Sequence, residues 1–203
     1  MVKIVFCTPI YKYIASPCFK SFMGLVTYLT QQQEFEADMI IRDGLYLPFN
    51  RSKMSKEALE KGADYVFWID DDQVFNPTDV KLFIDRFLNN KQRFDIVGGL
   101  YNSRTLNKEV CAWKFKKDGS SQVLEANPHE GYRPCDMIGM GFCMMKAEVL
   151  KRMIEKHGVA FMTPQQKHAF VGDDHWFFME CKKEGFKTAL DCDVPIGHFG
   201  GIL

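Results

Sequence analysis

The first half of the chain alternates short apolar runs with segments whose apolar residues recur at helical spacing. The apolar runs cover residues 2–7, 35–41, 65–69 and 95–100. Runs of this length predict strands, and residues 65–69, which show no polar alternation, are typical of a strand buried on both faces of a parallel sheet. Between them, spacings such as that of Val80, Phe83 and Phe87 give a helix one apolar face. The order of elements therefore predicts an α/β fold with a mostly parallel central sheet flanked by helices.

The second half of the chain follows a different pattern. Its predicted elements are a β-hairpin at residues 110–116 and 122–125, helices at residues 147–157 and 173–184, and a last strand at residues 186–190. Gly158 and Gly185 end the two helices, as glycine commonly does. We expect a loop at residues 127–134, and residues 162–168 show little pattern. Because the chain has no internal repeat, low-complexity segment or linker, a single domain over residues 1–203 is the simplest prediction.

Helix starts are predicted where a polar residue precedes a proline or an apolar face. Ser16 and Asn76 each stand before a proline, which is favoured in the first turn of a helix. Asn50 is predicted to cap a helix that carries Met54 and ends at Gly62. These starts predict helices after the first, second and third strands.

Composition and charge argue against a nucleic-acid or membrane protein. The 203 residues are 46% hydrophobic and carry 26 basic and 26 acidic side chains, so no net field favours nucleic acid or an anionic membrane. The seven cysteines form no CxxC pair and their number is odd, which predicts reduced thiols and a cytoplasmic location. No apolar run approaches transmembrane length, and no signal peptide precedes the first strand.

Three carboxylates, Asp70, Asp71 and Asp72, directly follow the strand predicted at residues 65–69. Ligands of open α/β sheets bind beyond the carboxyl ends of the strands. Adjacent carboxylates repel one another unless a cation lies among them, and hard divalent cations prefer oxygen ligands. If strand geometry continues, Asp70 and Asp72 project to one side and Asp71 to the other. The cluster predicts a metal site, with a solvated acidic turn as the alternative.

Two later groups of residues are candidates for catalysis and for metal binding. Asp173 and Asp174 begin a predicted helix, where one aspartate is expected as a cap and the other is left over as a candidate general base. His198 follows Gly197 and precedes Phe199 and Gly200, and such glycines allow close backbone approach. A neutral imidazole is a good ligand for an ion such as Mn²⁺. Simple capping and an exposed terminal histidine are the alternatives.

In this order the motifs resemble those of GT-A-type glycosyltransferases, which move a sugar from a nucleotide-diphosphate donor. Asp70-Asp71-Asp72 matches their Asp-x-Asp motif, and Gly172-Asp173-Asp174 resembles their acidic pair at a helix start. Residues 136–142 resemble their acceptor-side glycine segment, and Gly197-His198 resembles their late metal-binding histidine. The resemblance covers nearly the whole chain and implies a Rossmann-like GT-A fold with a small β-hairpin on the acceptor side. Small enzymes of this kind also occur in large DNA viruses and phages, where the host cytoplasm would be the location.

The resemblance implies a divalent metal ion, Mn²⁺ with Mg²⁺ as an alternative. Asp72 would bind the ion directly, and Asp70 would contact it through water or hold the ribose. His198 would complete the protein ligands. The ion would act as a Lewis acid that stabilises the charge developing on the leaving diphosphate.

The donor is expected over residues 1–100 and the acceptor against residues 101–203. The donor site is expected to include Thr8, Pro9, Asp43, Arg51, Asp70 and Asp71. Thr8 and Pro9 would line the base pocket, and Asp43 would accept a hydrogen bond from a uracil N–H, which favours a UDP-sugar. A solvated helix residue is the alternative for Arg51. The acceptor site is expected to include Trp113, Asp136 and Gly141.

The activity that the resemblance implies is transfer of a sugar to a glycan or another hydroxyl acceptor. Asp174 would be the base of an inverting reaction, and Asp173 would cap the helix or hold the acceptor; a retaining reaction needs no such base. One alternative is a non-catalytic nucleotide-sugar- or carbohydrate-binding module. Another is a metal-dependent nucleotidyltransferase, although such enzymes usually need a Gly-rich phosphate loop. A two-metal hydrolase would need more ligands than the other histidines provide.

Overall fold

The structure, a computed structural model, describes residues 1–44, 46–118, 120–166 and 169–200. The strands are β1 (Lys3–Ile10), β2 (Glu36–Asp43), β3 (Tyr65–Ile69), β4 (Gln73–Val74), β5 (Ile96–Leu100), β6 (Ala112–Phe115), β7 (Ser121–Val123), β8 (Tyr132–Cys135), β9 (Met137–Ile138), β10 (Phe142–Lys146), β11 (Gln165–Gln166), β12 (Ala169–Phe170), β13 (Thr188–Pro195) and β14 (Gly197–His198). The helices are α1 (Ser16–Gln31), α2 (Leu47–Glu60), α3 (Pro77–Asn90), α4 (Ala147–His157) and α5 (Asp173–Lys183).

Seven strands form the central sheet in the order β2-β1-β3-β10-β5-β13-β8. β1 pairs in parallel with β2 and β3, and β5 pairs in parallel with β13. β10 runs antiparallel between β3 and β5, and β8 runs antiparallel at one edge. Five of the seven strands therefore share one direction, which confirms the predicted α/β fold with a mostly parallel sheet. The place of β10 between β3 and β5 departs from the regular strand–helix series expected for the first half.

Two apolar cores lie on opposite faces of this sheet. Along β3, Val66 and Trp68 belong to one core, and Phe67 and Ile69 belong to the other, because alternate side chains of a strand point to opposite faces. Helices α2, α4 and α5 cover the first core, and α1 and α3 cover the second. Consequently α2 and α5 lie on the same face of the sheet, although a large part of the chain separates them.

Two of the three predicted helix starts are displaced. The cap of α1 is Ala15 rather than Ser16, which is already the first helical residue. α2 begins at Leu47, so Asn50 lies inside the helix, where its side chain donates a hydrogen bond of 3.2 Å to the Asp43 carbonyl. The Asn76 start is confirmed, since the Asn76 N–H donates to the Asp79 carboxylate at 2.7 Å in a capping box.

The remaining elements follow the sequence-based prediction with local differences. The hairpin is confirmed as β6 and β7, although Gly119 in its turn lies outside the described residues. β1 continues to Ile10, and the last long strand of the sheet is Thr188–Pro195 instead of residues 186–190. The predicted loop at residues 127–134 is wrong at its end, because β8 begins at Tyr132. Of residues 162–168, the last two lie outside the described part of the chain.

The cysteines and helices bear on the expectations about thiols and membranes. All seven cysteines are buried and unbridged. Among the helices of the described residues, none is long and apolar enough to cross a membrane.

Candidate active site

Acidic side chains gather at the carboxyl end of β3 and the start of α5. β3 ends at Ile69, and the three aspartates that follow form a turn in which the Gln73 N–H donates to the Asp70 carbonyl at 3.3 Å. The strand-like alternation expected for Asp70, Asp71 and Asp72 is therefore not observed. Each carboxylate instead has its own polar partners, which are Arg51 for Asp70, the Tyr11 N–H for Asp71, and His198 and Arg104 for Asp72.

Arg51 is the centre of a buried ion-pair cluster. Its side chain is 2% exposed, so the alternative of a solvated helix residue is wrong. Nη1 donates to Asp173 Oδ2 at 3.0 Å and to Asp174 Oδ1 at 2.5 Å. Nη2 donates to the two carboxylate oxygens of Asp70 at 3.2 and 3.1 Å. Because one guanidinium faces three carboxylates, the cluster keeps an excess of negative charge.

This charge imbalance changes the acidity of the cluster. Burial, together with the carboxylates of Asp173 and Asp70, raises the pKa of Asp174 to about 6 against the opposing charge of Arg51. Burial likewise raises the pKa of Asp70, and Arg51 again opposes the shift. A carboxyl group whose pKa lies near the working pH is suited to general base catalysis. The Asp174 side chain is 37% exposed, so a ligand can reach it.

Asp72 lies between His198 and Arg104. Its Oδ2 atom is 3.3 Å from His198 Nε2 and 3.1 Å from Arg104 Nη1. The approach of His198 has a backbone cause, because β14 pairs with β4 and places His198 opposite Gln73. Burial would raise the pKa of Asp72, but the hydrogen bond from His198 and the nearby positive charges lower it overall. Burial would lower the pKa of His198, but Asp72 and the Asn102 carbonyl raise it.

The pair of Asp72 and His198 fits a divalent metal ion. His198 Nδ1 is 2.8 Å from the Asn102 carbonyl, so Nδ1–H donates there, and an ion bound to Nε2 would replace the proton that Nε2 shares with Asp72. Both oxygens of Asp70 accept from the buried Arg51, whereas Arg104, which pairs with Asp72 Oδ2, is 51% exposed and can move aside, so Asp72 fits direct contact with an ion better than Asp70 does. Within the described residues, no three His, Cys, Asp or Glu side chains form a ready-made ligand set. The protein thus offers two ligands, as in sites where water and substrate phosphates supply the others.

A cleft of about 220 Å³ lies beside the three aspartates. Its lining includes Pro9, Ile10, Tyr11, Gly44, Leu47, Asp70, Asp71, Asp72 and Arg104. Asp71 Oδ2 accepts a hydrogen bond of 2.9 Å from the Tyr11 N–H, which ties the turn after β3 to the end of β1. Burial raises the pKa of Asp71, although this hydrogen bond opposes the shift.

The residues predicted on the donor side differ in their relation to this cleft. Pro9 lines it directly. Thr8 is 1% exposed and lies behind the cleft surface, with no hydrogen-bond partner for Oγ1 among the described residues. Asp43 is exposed at the end of β2, opposite Ile10 of β1, and its neighbour Gly44 reaches the cleft.

Two residues predicted on the acceptor side lie away from the acidic cluster. Asp136 accepts a hydrogen bond of 2.8 Å from the Phe115 N–H, and its other oxygen is 3.0 Å from Lys182 Nζ. Lys182 follows Asp174 by eight residues on α5, which is about 12 Å along the helix axis. Trp113 is partly buried in β6 and packs against both cores.

Gly141, the third predicted acceptor residue, adjoins the acidic turn. Its carbonyl accepts from the Asp70 N–H at 2.9 Å, and its N–H donates to Tyr101 Oη at 2.9 Å. A Cβ atom at this position would lie 2.6 Å from Gln73 Nε2, the group that donates to Asp72. The close approach of β10 to the turn that carries the aspartates therefore favours glycine, since a larger residue would force Gln73 to shift.

Sequence reasoning missed the residues that follow β5. Tyr101 packs its ring edgewise against His198, Asn102 orients the same imidazole, and Arg104 pairs with Asp72. The signal was present, because Tyr101 directly follows a predicted strand, and ligand sites lie beyond strand ends.

The fold is similar to several solved structures of low sequence identity. A197 from STIV is 18% identical with a TM-score of 0.60, and the match covers 98% of this chain and 86% of that chain. TarS from S. aureus in complex with UDP-GlcNAc is 13% identical with a TM-score of 0.54, covering 99% of this chain and 60% of that chain. GalNAc-T7 with UDP, GalNAc and Mn²⁺ is 9% identical with a TM-score of 0.63, and the match covers 97% of this chain and 44% of that chain.

These likenesses define the class of fold. At such identities they show a Rossmann-like GT-A fold, and they assign no activity. No protein-family model matches the chain, and no curated protein matches its sequence.

Proposed function

We propose that this protein is a metal-dependent glycosyltransferase that transfers a sugar from a nucleotide-diphosphate donor to a hydroxyl of a glycan or another acceptor. The observation that carries the proposal is the approach of His198 to Asp72, beside the buried cluster of Arg51, at the carboxyl end of β3 in a GT-A fold. Similar folds have been solved with UDP-GlcNAc and with UDP, GalNAc and Mn²⁺, which supports a UDP-sugar and a divalent ion.

The donor would lie in the cleft beside the three aspartates. Asp72 and His198 would hold the ion, Mn²⁺ or alternatively Mg²⁺, and Asp70 would contact it through water. When bound, the ion would supply Lewis-acid stabilisation of the leaving diphosphate. Pro9 would contact the nucleoside, with Thr8 behind it and Asp43 at the rim as acceptor for a uracil N–H. Asp71 would keep the cleft wall in place through Tyr11.

Transfer would proceed with inversion at the anomeric carbon. Asp174 would take the proton of the acceptor hydroxyl while its oxygen forms the new bond to the anomeric carbon. The bond from that carbon to the diphosphate breaks, and its electron pair leaves with the diphosphate. The raised pKa of Asp174 and its accessibility support this role. Asp173 and Arg51 would position Asp174, and the acceptor would approach from the side of Gly141, Trp113 and Asp136.

The first test is hydrolysis of the donor. A panel of nucleotide sugars is incubated with Mn²⁺, and the released nucleoside diphosphate is measured with and without EDTA. We expect one donor to be hydrolysed, with the activity lost in EDTA and in Asp72→Ala. Asp85→Ala removes a half-exposed carboxylate of α3, far from Asp72 in the fold, and should keep the activity. Donor binding without turnover would instead identify a binding module.

The second test concerns the proposed base. Asp174→Asn should lower transfer to an acceptor far more than it lowers donor affinity, because the amide cannot take the hydroxyl proton. Equal losses of transfer and of donor affinity would show that Asp174 is only a structural partner of Arg51.

A further inference from the structure

An open groove lies between the hairpin β6–β7 and α5, on the side expected for the acceptor. Its volume is about 510 Å³, within the range of sites for small-molecule ligands. Its lining comprises Phe115, Lys116, Lys117, Met179, Lys182 and Lys183. Among these described residues four are lysines and none is acidic. The groove therefore combines an apolar floor with a basic rim.

The groove lies along α5, the helix that carries the proposed base in its first turn. His175, Met179 and Lys182 recur at a helical spacing, so they share one face of this helix. The Phe115 ring lies over that face, with its centroid 5.1 Å from that of His175 and 5.7 Å from Lys182 Nζ. Asp174 lies in the first turn of α5, and Met179 and Lys182 lie about 8 and 12 Å further along the helix axis, so an acceptor of several sugar units spans the distance from Asp174 to the groove.

The positive charge of the groove is only partly neutralised. Its ion pairs are Lys182 with Asp136 at 3.0 Å and Lys183 with Glu180 at 2.5 Å. The side chains of Lys182 and Lys183 nevertheless remain 51% and 59% exposed. No carboxylate of the described residues lies within ion-pair distance of Lys116 or Lys117, both of which are exposed. Since the whole chain has no net charge, this concentration of lysines is a local feature.

We propose that the groove binds an anionic glycan chain, which is the acceptor of the transfer reaction. The inference rests on the proposed function, because the groove adjoins a reacting hydroxyl only if Asp174 is the base. Sugar C–H faces pack on Phe115 and Met179, which offer an aromatic ring and a flexible thioether. Acid groups on the glycan bind the ammonium groups of Lys116 and Lys117 as point charges.

The test measures binding of defined oligosaccharides by calorimetry. The anionic probes are a galacturonic acid hexamer and a sulfated hexamer, and the neutral control is a glucose hexamer. We expect the wild type to bind an anionic probe, with an affinity that falls as NaCl increases, and to bind the neutral hexamer much more weakly. The double variant Lys116→Gln/Lys117→Gln should lose about tenfold in affinity for the anionic probe.

A matched variant controls for total charge. Lys91→Gln/Lys151→Gln removes two exposed lysines, one just beyond α3 and one in α4, and should bind the anionic probe like the wild type. Donor hydrolysis should be the same in the wild type and both double variants. Failure of the groove inference is therefore distinguishable from failure of the proposed function, which would appear as no donor hydrolysis in the wild type.

Three results would overturn the inference. The first is that neither anionic hexamer binds. The second is that the groove variant and the wild type bind equally, or that the control variant loses as much affinity as the groove variant. The third is that vesicles of phosphatidylglycerol and phosphatidylcholine bind through Lys116 and Lys117 while the hexamers do not, which would assign the groove to a lipid surface.

Discussion

Arg51 donates a hydrogen bond of 2.5 Å to Asp174, although the two residues are 123 positions apart in the chain. The other terminal nitrogen of the same guanidinium binds Asp70 at the end of β3. One buried side chain therefore fixes the proposed base relative to the turn that carries Asp72. This relationship can be tested without knowledge of the donor or the acceptor.

Removal of Arg51 should strongly destabilise the protein. Arg51→Met would leave three carboxylates at a buried site without their cation, and breaking such a cluster costs about 3–5 kcal/mol. The matched control is Arg42→Met, because Arg42 pairs with Glu57 at 2.8 Å and is 40% exposed. Its loss should cost less than about 1 kcal/mol. Urea unfolding measures both, and similar losses for the two variants would show that the cluster contributes no more than a surface pair.

The raised pKa of Asp174 predicts the direction of a pH effect on stability. This pKa rises from 3.8 to about 6 on folding, so between these values the native state binds more protons than the unfolded state. The free energy of unfolding contributed by this group should therefore fall as the pH rises from about 4 to about 6. Since Asp174 is 37% exposed, solvent screening reduces the effect, and we expect roughly 1 kcal/mol.

Comparison with Asp174→Asn isolates this contribution. The asparagine does not titrate, so the stability of the variant relative to the wild type should improve as the pH rises through this range. Urea unfolding at several pH values measures the difference. A difference that stays constant or moves the other way would contradict the raised pKa.

Features that depend on neighbouring residues could be predicted from the sequence. The bounds of β3 and α4 agree with the prediction, and the end of α4 carries a local signal, Gly158, whose φ of +77° only glycine adopts readily. The Asn76 capping box is similarly local. The start of α2 differs from the prediction because Asn50 does not cap it, and the helix begins instead at Leu47-Pro48.

Features that depend on packing between distant segments could not be predicted in this way. The apolar sequence of β10 indicates that its residues are buried. It does not indicate that the strand lies antiparallel between β3 and β5. The burial of Arg51 depends on α2 and α5 sharing one face of the sheet. The approach of His198 to Asp72 was anticipated only by resemblance, since it requires β14 to return to β4.

Gly141 provides a steric test of the turn that carries the aspartates. A Cβ atom there would lie 2.6 Å from Gln73 Nε2 and 2.9 Å from Tyr101 Oη, and Gln73 is 1% exposed. Gly141→Ala should therefore cost about 1–3 kcal/mol through overpacking. It should also weaken Mn²⁺-dependent binding of UDP, because Gln73 donates to Asp72.

Gly172 provides the control position for the substitution at Gly141. A Cβ atom at Gly172 meets nothing within 4 Å, although the residue directly precedes α5 and the acidic pair. Gly172 is the N-cap residue of α5, where glycine is preferred to alanine, so Gly172→Ala should cost no more than about 1 kcal/mol. Thermal or urea unfolding compares the two variants, and equal stability would mean that Gln73 and Tyr101 move aside without cost.

Arg104 should recognise the charge of a bound nucleotide rather than its base. It is 51% exposed, pairs with Asp72, and lines both the 220 Å³ cleft and an adjoining cleft of about 350 Å³. Arg51 is buried and occupied by carboxylates, so Arg104 is the better-placed arginine for a diphosphate. With Mn²⁺ present, Arg104→Ala should lower the affinity for UDP about tenfold but change the affinity for uridine less than twofold. Arg104→Lys keeps the positive charge and should therefore keep part of the affinity for UDP. Calorimetry measures these affinities, with Arg93→Ala as a control at an exposed arginine. Equal losses for UDP and uridine would show that Arg104 shapes the cleft and does not bind the phosphates.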